Sequence, residues 1–221
     1  MVKHYEGICS GSSIVDSHFE DPQRLIHHLN SELVLGNVYD RDSALHYLQS
    51  SFFHVRACKG PQRFGIPSND MVIEFERQRV YECIKVLQDC HIITNNNDPN
   101  GDETYNVTVN GKVMSKYHLK AETVHKLESL IYEEKTGLLL SAIADLPEYN
   151  TETRVIGVNK QVVDAIRKSA NTRYSHGSDT FMLIQLCLGE YDDVTLKPIV
   201  YQHASGLCET AITLCRALLD I

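Results

Sequence analysis

The segment HIITNNNDPNGDETYNVTVNG, residues 91–111, carries the signal that decides the fold. A short β-branched run, His91–Thr94, precedes a tract of Asn, Asp, Pro and Gly at 95–102, and these residue types are typical of turns and loops. Apolar and polar residues then alternate from Tyr105 to Val109, as in a half-exposed strand, until Asn110-Gly111 closes the run. The segment therefore predicts a β-hairpin with a polar loop.

Helical patterns precede the hairpin. A short amphipathic helix is expected at 2–11, and Asp21-Pro22 followed by Gly36 marks the start and the end of the next one. A further helix with a capping aspartate is expected over 40–55, and a long helix begins at about Asn69. The order helix, strand, polar loop and strand is the pattern of a winged helix in which the hairpin is the wing.

Helical periodicity continues behind the hairpin and predicts a bundle. The expected helices are 121–132, 137–146, 158–166, 180–188 and 198–221. The buried stripe of the last one comprises Leu207, Ala211, Leu214, Leu218 and Ile221. Because its pattern stops without a capping residue, we expect a chain cut from something longer. The predicted fold class is mainly α: a winged helix with a small β-hairpin wing, followed by a truncated helical bundle.

Composition limits the possible functions. The chain has 221 residues and a net charge of -8, which argues against a free-standing basic nucleic-acid binder because phosphate neutralisation supplies most non-specific affinity. A module that adds one or two phosphate contacts to a more basic assembly remains compatible with this charge. No apolar run approaches the roughly 20 residues that span a bilayer, so no membrane is expected as a partner.

The cysteines indicate reduced thiols. Seven are present and none forms a Cys-x-x-Cys pair, so a zinc site or redox motif of that type is not expected. Cys83 and Cys90 lie on one face of a helix and are interpreted as small core residues. Their scatter suggests a nuclear or cytoplasmic protein.

The sequence carries no recognisable catalytic motif. The sequence has no phosphate-binding Gly-Lys-Ser/Thr loop, no Asp-Glu-x-His and no His-Glu-x-x-His, so neither a catalytic site nor a metal site is expected. Ser175–Asp179 contains the letters of a hydrolase triad, but such groups must converge in space rather than in sequence. Asp192-Asp193 is interpreted as an exposed loop.

One basic cluster follows the predicted wing. Its members are Lys112, Lys116, Lys120 and Lys126, with His118 and His125 between them. A solvated helix face is one interpretation, and a strip of phosphate contacts beside the winged helix is the other.

Several segments resemble the Ski-family superfamily 2 helicases. They are Val15–Phe19, His28–Gly36 (HLNSELVLG), Val109–Leu119 (VNGKVMSKYHL), Leu183–Gly189 and Leu214–Ile221 (LCRALLDI). The resemblance implies that 1–24 link to a preceding motor domain, that 25–120 form the winged helix and that 121–221 begin the Sec-sixty-three homology region. It also implies an accessory role in an ATP-dependent 3'-5' helicase, in which this region closes a ring around one strand.

The resemblance places Thr210–Ile221 on the family's strand-contacting ratchet helix. Arg216 is retained, whereas Thr213 stands where the family has another arginine one turn earlier. The nucleic-acid-binding residues expected from the resemblance and the basic cluster are Arg216, Lys112, Lys116 and Lys120. The implied partners are RecA-like motor domains and single-stranded DNA or RNA.

The resemblance implies no cofactor in these residues, since ATP and magnesium belong to the motor domains. Within the family, the meiotic crossover DNA helicases are favoured over the spliceosomal and activating signal cointegrator helicases. A stand-alone or degenerate protein-interaction module is the alternative.

Overall fold

The computed structural model describes residues 17–97, 103–132, 136–149, 168, 178–188 and 197–221. Within these ranges the chain is mainly α-helical, with one two-stranded antiparallel sheet, so the predicted mainly α class with a small hairpin is confirmed. The helices expected at 2–11 and 158–166 lie outside the described residues, as do Asp192-Asp193 and most of Ser175–Asp179.

The elements follow one another along the chain in a simple order. Before the hairpin, the α-helices are α1 (Pro22–Leu35), α2 (Arg41–Gln49), α3 (Phe52–Lys59) and α4 (Val72–Asp89). The hairpin consists of β1 (Ile93–Asn97) and β2 (Glu103–Val107). The described helices after it are α5 (Val109–Tyr117), α6 (Ala121–Leu130), α7 (Thr136–Ala144), α8 (Asp179–Leu188) and α9 (Lys197–Asp220). Short 3-10 turns occupy His18–Glu20, Pro61–Phe64 and Asn69–Met71.

Local capping chemistry sets the helix ends that the sequence predicted. Asp21 Oδ1 accepts a hydrogen bond from the backbone N–H of Gln23 at 3.0 Å, and Gly36 ends α1 in the left-handed region with φ 78°. Asp40 begins α2 through a capping box with Ser43, whose backbone N–H donates to Asp40 Oδ1 at 2.7 Å.

The single helix predicted over 40–55 is wrong, because Ser50 and Ser51 divide it into α2 and α3. The Ser50 hydroxyl donates to the carbonyl oxygen of His46 at 2.8 Å and the Ser51 hydroxyl donates to that of Leu48 at 2.6 Å. Ser51 Oγ also accepts from the backbone N–H of Phe53 at 3.2 Å and so caps α3. Serine side chains that bind backbone groups compete with helix continuation in this way.

The hairpin also corrects the expected boundaries. β1 continues to Asn97, through residues that the sequence assigned to the loop, because pairing with β2 outweighs the turn preference of asparagine. The Asn95 side-chain amide donates to Glu103 Oε1 at 2.7 Å across the strands. β2 ends at Val107, and the residues from Val109 that were predicted to finish the strand begin α5 instead.

The described residues form two compact units. The first contains α1 to α4 and residues 94–106, and its helices α1 and α2 pack against α4. Phe53 is fully buried there, with its ring centroid 5.2 Å from that of Phe64 and the Arg79 guanidinium 5.5 Å above it. Its other fully buried side chains include Leu25, Leu29, Leu48, Val80 and Leu87.

The second unit contains residues 90–93 and the chain from Val107 onward. Here α9 packs against α5, α6, α7 and α8. The predicted stripe on α9 is confirmed for Leu207, Ala211 and Leu214, which are buried. Leu218 and Ile221 are half-buried instead, and Ala217 is the buried residue of the last turns. The expected boundaries at 24 and 120 concern family domains and stay predictions.

Candidate nucleic-acid interface

Helix α5 presents the first two lysines of the basic cluster. Its N-cap is Thr108, whose hydroxyl accepts from the backbone N–H of Gly111 at 3.3 Å and shares its proton between the carbonyl oxygens of His91 and Ile92. This anchor fixes the start of α5, and Val113 and Met114 bury its inner face. Lys112 and Lys116 are one turn apart on the exposed face.

A side-chain junction joins α5 to the last turn of α9. Lys116 Nζ donates to Asp220 Oδ2 at 2.6 Å, and the Tyr117 hydroxyl donates to the same oxygen at 2.7 Å. The hydrogen bond to Asp220 raises the pKa of Lys116, and the same bond lowers the pKa of the Asp220 carboxyl. The Lys116 ammonium also lies 4.9 Å from the centroid of the Tyr117 ring. We call Lys112, Lys116, Arg216 and Asp220 the α5–α9 surface.

Arg216 lies one turn before Asp220 and is exposed, as the sequence predicted, while its neighbours Leu214 and Ala217 are fully buried. In the described structure, Asp220 accepts hydrogen bonds from Lys116 and Tyr117. Across the described part of the chain, no acidic side chain forms an ion pair with Arg216.

Thr213 occupies the position where the helicase family has a further arginine. Its hydroxyl donates to the carbonyl oxygen of Glu209 at 3.0 Å, so it bonds within its own helix.

Lys120 has an internal role that the sequence did not reveal. Its ammonium donates to the carbonyl oxygen of Pro147 at 2.9 Å, and its backbone N–H donates to Glu148 Oε1 at 2.9 Å. The Thr123 hydroxyl donates to the other carboxylate oxygen of Glu148. These bonds satisfy polar groups at the start of α6. Lys120 is half-buried, and its ammonium binds within the fold.

His125 contacts two residues outside the basic cluster in which the sequence grouped it, His91 and Glu128. Its ring centroid lies 5.2 Å from that of His91, and both imidazoles approach the carboxylate of Glu128. Sequence reasoning missed this cluster because His91 precedes the hairpin whereas His125 and Glu128 lie on α6.

The chain is similar to several curated helicases. It is 30% identical over 155 residues to the probable ATP-dependent DNA helicase HFM1 of Mus musculus, a match that covers 67% of this chain and 10% of that protein. It is 26% identical over 136 residues to activating signal cointegrator 1 complex subunit 3 of Dictyostelium discoideum, covering 59% of this chain and 6% of that protein.

The U5 small nuclear ribonucleoprotein 200 kDa helicase of Homo sapiens matches at 24% identity over 107 residues, which cover 47% of this chain and 5% of that protein. No protein-family model matches the chain. None of the described helices is long and apolar enough to cross a membrane.

The chain thus spans about a tenth or less of the length of these relatives. All three matches fall within the group that the ordered segments at His28–Gly36, Val109–Leu119 and Leu214–Ile221 resemble. The chain therefore belongs to the Ski-family superfamily 2 helicases.

Proposed function

We propose that this region is an accessory, strand-contacting and ring-closing part of an ATP-dependent DNA helicase whose motor domains lie outside these residues. The winged helix would span 25–120 and the bundle 121–221, with RecA-like motor domains as partners in a nuclear setting. The observation that carries the proposal is Arg216, an exposed arginine for which the described residues supply no acidic partner, on a helix that α5 joins through Lys116 and Asp220. This arrangement leaves one guanidinium and one ammonium, Arg216 and Lys112, open to a phosphate backbone.

The electrostatics of the α5–α9 surface favour a weak contact. Asp220 holds Lys116 in an ion pair, and Lys120 is bound to Pro147. Arg216 and Lys112 therefore contribute about two phosphate contacts, which suits a chain whose net charge is -8. Such a surface would add to the strand affinity of a larger assembly and would not supply that affinity alone.

DNA is favoured over RNA as the substrate because the relative from Mus musculus is named as a probable DNA helicase. The relative from Homo sapiens is named for the U5 small nuclear ribonucleoprotein, so the RNA alternative has its own support. A contact with phosphates alone would not separate the two, because direct readout requires base edges or the 2'-hydroxyl. Competition between single-stranded DNA and RNA of one sequence distinguishes them.

The test measures the binding of the full chain to single-stranded DNA by fluorescence anisotropy over a salt series. Arg216→Ala should weaken binding and reduce the slope of log K against log salt by about 0.7, the release expected for one phosphate of a single strand. Arg77→Ala is the matched control, because Arg77 is exposed on α4 and its ion pair among the described residues is with Glu74, across one helical turn. If Arg216→Ala and Arg77→Ala give the same affinity and slope as the unmodified chain, Arg216 does not contact the strand.

A protein-interaction module is the second candidate, and the net charge of -8 together with Thr213 favours it. In that case the chain binds RecA-like motor domains but neither DNA nor RNA, even at low salt. Measuring both kinds of binding on the same preparation separates the two functions.

A further inference from the structure

Three side chains with metal-binding atoms converge in the second unit. His91 Nδ1 lies 3.1 Å from Glu128 Oε2, and His125 Nδ1 lies 3.8 Å from the same oxygen. One ligand atom from each of the three residues can be chosen so that all lie within 4.8 Å of one another. The two imidazole rings meet edge to face at an interplanar angle of 81°.

These separations fit the corners of a zinc coordination polyhedron. Zinc bonds of about 2.0–2.1 Å to histidine nitrogen and carboxylate oxygen place neighbouring ligands of a tetrahedron about 3.3 Å apart. The observed separations of 3.1 and 3.8 Å lie on either side of this value. The ligand atoms of His91 and His125 lie within 4.8 Å of each other, so side-chain rotation that brings them closer together would complete the bonding geometry.

The backbone holds the three ligands in place from two directions. His125 and Glu128 are three residues apart on α6, so they project from one face of the helix. His91 follows the end of α4 in the left-handed region with φ 57°, which is uncommon for a residue other than glycine. The Thr108 hydroxyl donates to the His91 carbonyl oxygen and fixes this turn to the start of α5.

We propose that His91, His125 and Glu128 bind a Zn²⁺ ion. Two imidazoles and one carboxylate form a ligand set that suits zinc, whereas magnesium and calcium prefer oxygen ligands alone. All three side chains reach solvent, which gives the ion an entry path and leaves the fourth position to water. The ion would tie the turn at His91 to α6 and stabilise the second unit. The site is independent of the proposed strand contact.

The ordinary alternative is a hydrogen-bonded His91–Glu128 pair that binds no metal. Isothermal titration of the full chain with Zn²⁺ under reducing conditions, together with thermal unfolding, distinguishes the two. We expect one ion per chain, and an unfolding midpoint that zinc raises and a chelator lowers again. His125→Ala and Glu128→Gln should each weaken binding by more than about tenfold, since even outer-shell changes cost that much.

His91→Asn tests the third ligand. Asparagine tolerates the left-handed backbone of this position but lacks the imidazole. The matched control is His46→Ala, which removes an exposed helical histidine from the first unit and should leave zinc binding unchanged. Co²⁺ then reports the ligand type: visible d–d bands without thiolate charge transfer indicate nitrogen and oxygen ligands. Retained binding in His125→Ala, thiolate bands in the Co²⁺ spectrum, or no zinc uptake by the unmodified chain would each overturn the site.

Discussion

Asp220 neutralises Lys116 through a 2.6 Å hydrogen bond from Lys116 Nζ to Asp220 Oδ2. Because both side chains are on the exposed α5–α9 surface, this pair sets how much positive charge the surface offers to a strand. The Tyr117 hydroxyl donates to the same oxygen and holds the carboxylate in place.

Asp220→Asn should therefore strengthen the binding of single-stranded DNA. The substitution releases the Lys116 ammonium, so we expect the salt slope to steepen by about 0.7 in magnitude, the value for one added phosphate contact. Asp89→Asn is the control for net charge, because Asp89 is exposed at the end of α4 in the first unit. Equal gains from Asp220→Asn and Asp89→Asn would show that overall charge, rather than Lys116, controls affinity.

Glu148 should be important for the stability of the second unit. Its two carboxylate oxygens accept hydrogen bonds from the Lys120 backbone N–H and the Thr123 hydroxyl, and Thr123 is fully buried. Glu148→Ala leaves these donors without their partner, which costs about 1–3 kcal/mol in the free energy of unfolding. Urea unfolding measures the loss, and Glu209→Ala, which removes an exposed carboxylate from α9, should change the free energy far less.

His54 and Glu76 form a part-buried contact in the first unit. The Glu76 side chain has no exposed surface, and its two oxygens lie 2.9 and 3.1 Å from His54 Nδ1. His54→Ala removes this partner from a buried carboxylate, and we expect a loss of about 1–3 kcal/mol, because 29% of the His54 side chain is exposed and water can reach the vacated position.

Adding Glu76→Gln to His54→Ala should recover part of that loss, because a neutral amide is less costly to bury than a carboxylate. Urea unfolding of the two single variants and the double variant completes a double-mutant cycle. If the double variant is no more stable than His54→Ala alone, the unpaired Glu76 carboxylate does not limit the stability of this unit.

Local signals explain which parts of the fold were predictable. Asp21-Pro22, Gly36 and Asp40 act through backbone groups within a few residues, so the sequence alone identifies the helix ends that they set. The break at Ser50-Ser51 also has a local cause, but two serines within an apolar helical pattern are a weak signal.

Tertiary contacts explain what was not predictable. In the sequence, Lys120 is one lysine of a basic cluster. Its hydrogen bonds to the Pro147 carbonyl oxygen and to Glu148 exist only in the folded chain. Thr108 likewise caps α5 and donates to the His91 carbonyl oxygen across the hairpin. Residue spacing alone does not predict this second contact. Arg216 was predictable because the period of the buried α9 positions alone determines which side of the helix it faces.

Cys83 should make stability fall at alkaline pH. Burial raises the pKa of the Cys83 thiol from 9.0 to about 11, because the thiolate would lose its solvation in the core of the first unit. The folded state therefore holds the thiol proton more tightly than the unfolded state does. The contribution is fully present below pH 9.0 and is lost as pH rises towards 11.

Two pKa units correspond to roughly 2–3 kcal/mol over the full range, and about half of this should be lost between about pH 8 and about pH 10, where urea unfolding measures the free energy of unfolding. Burial also raises the pKa of Tyr47 and Tyr105, so a smaller decline should persist when Cys83 is removed. Cys83→Ala costs some packing at every pH but flattens the slope. Cys58→Ala is the control, because it removes an exposed thiol. A slope that is as steep in Cys83→Ala as in the unmodified chain would assign the alkaline loss to the tyrosines alone.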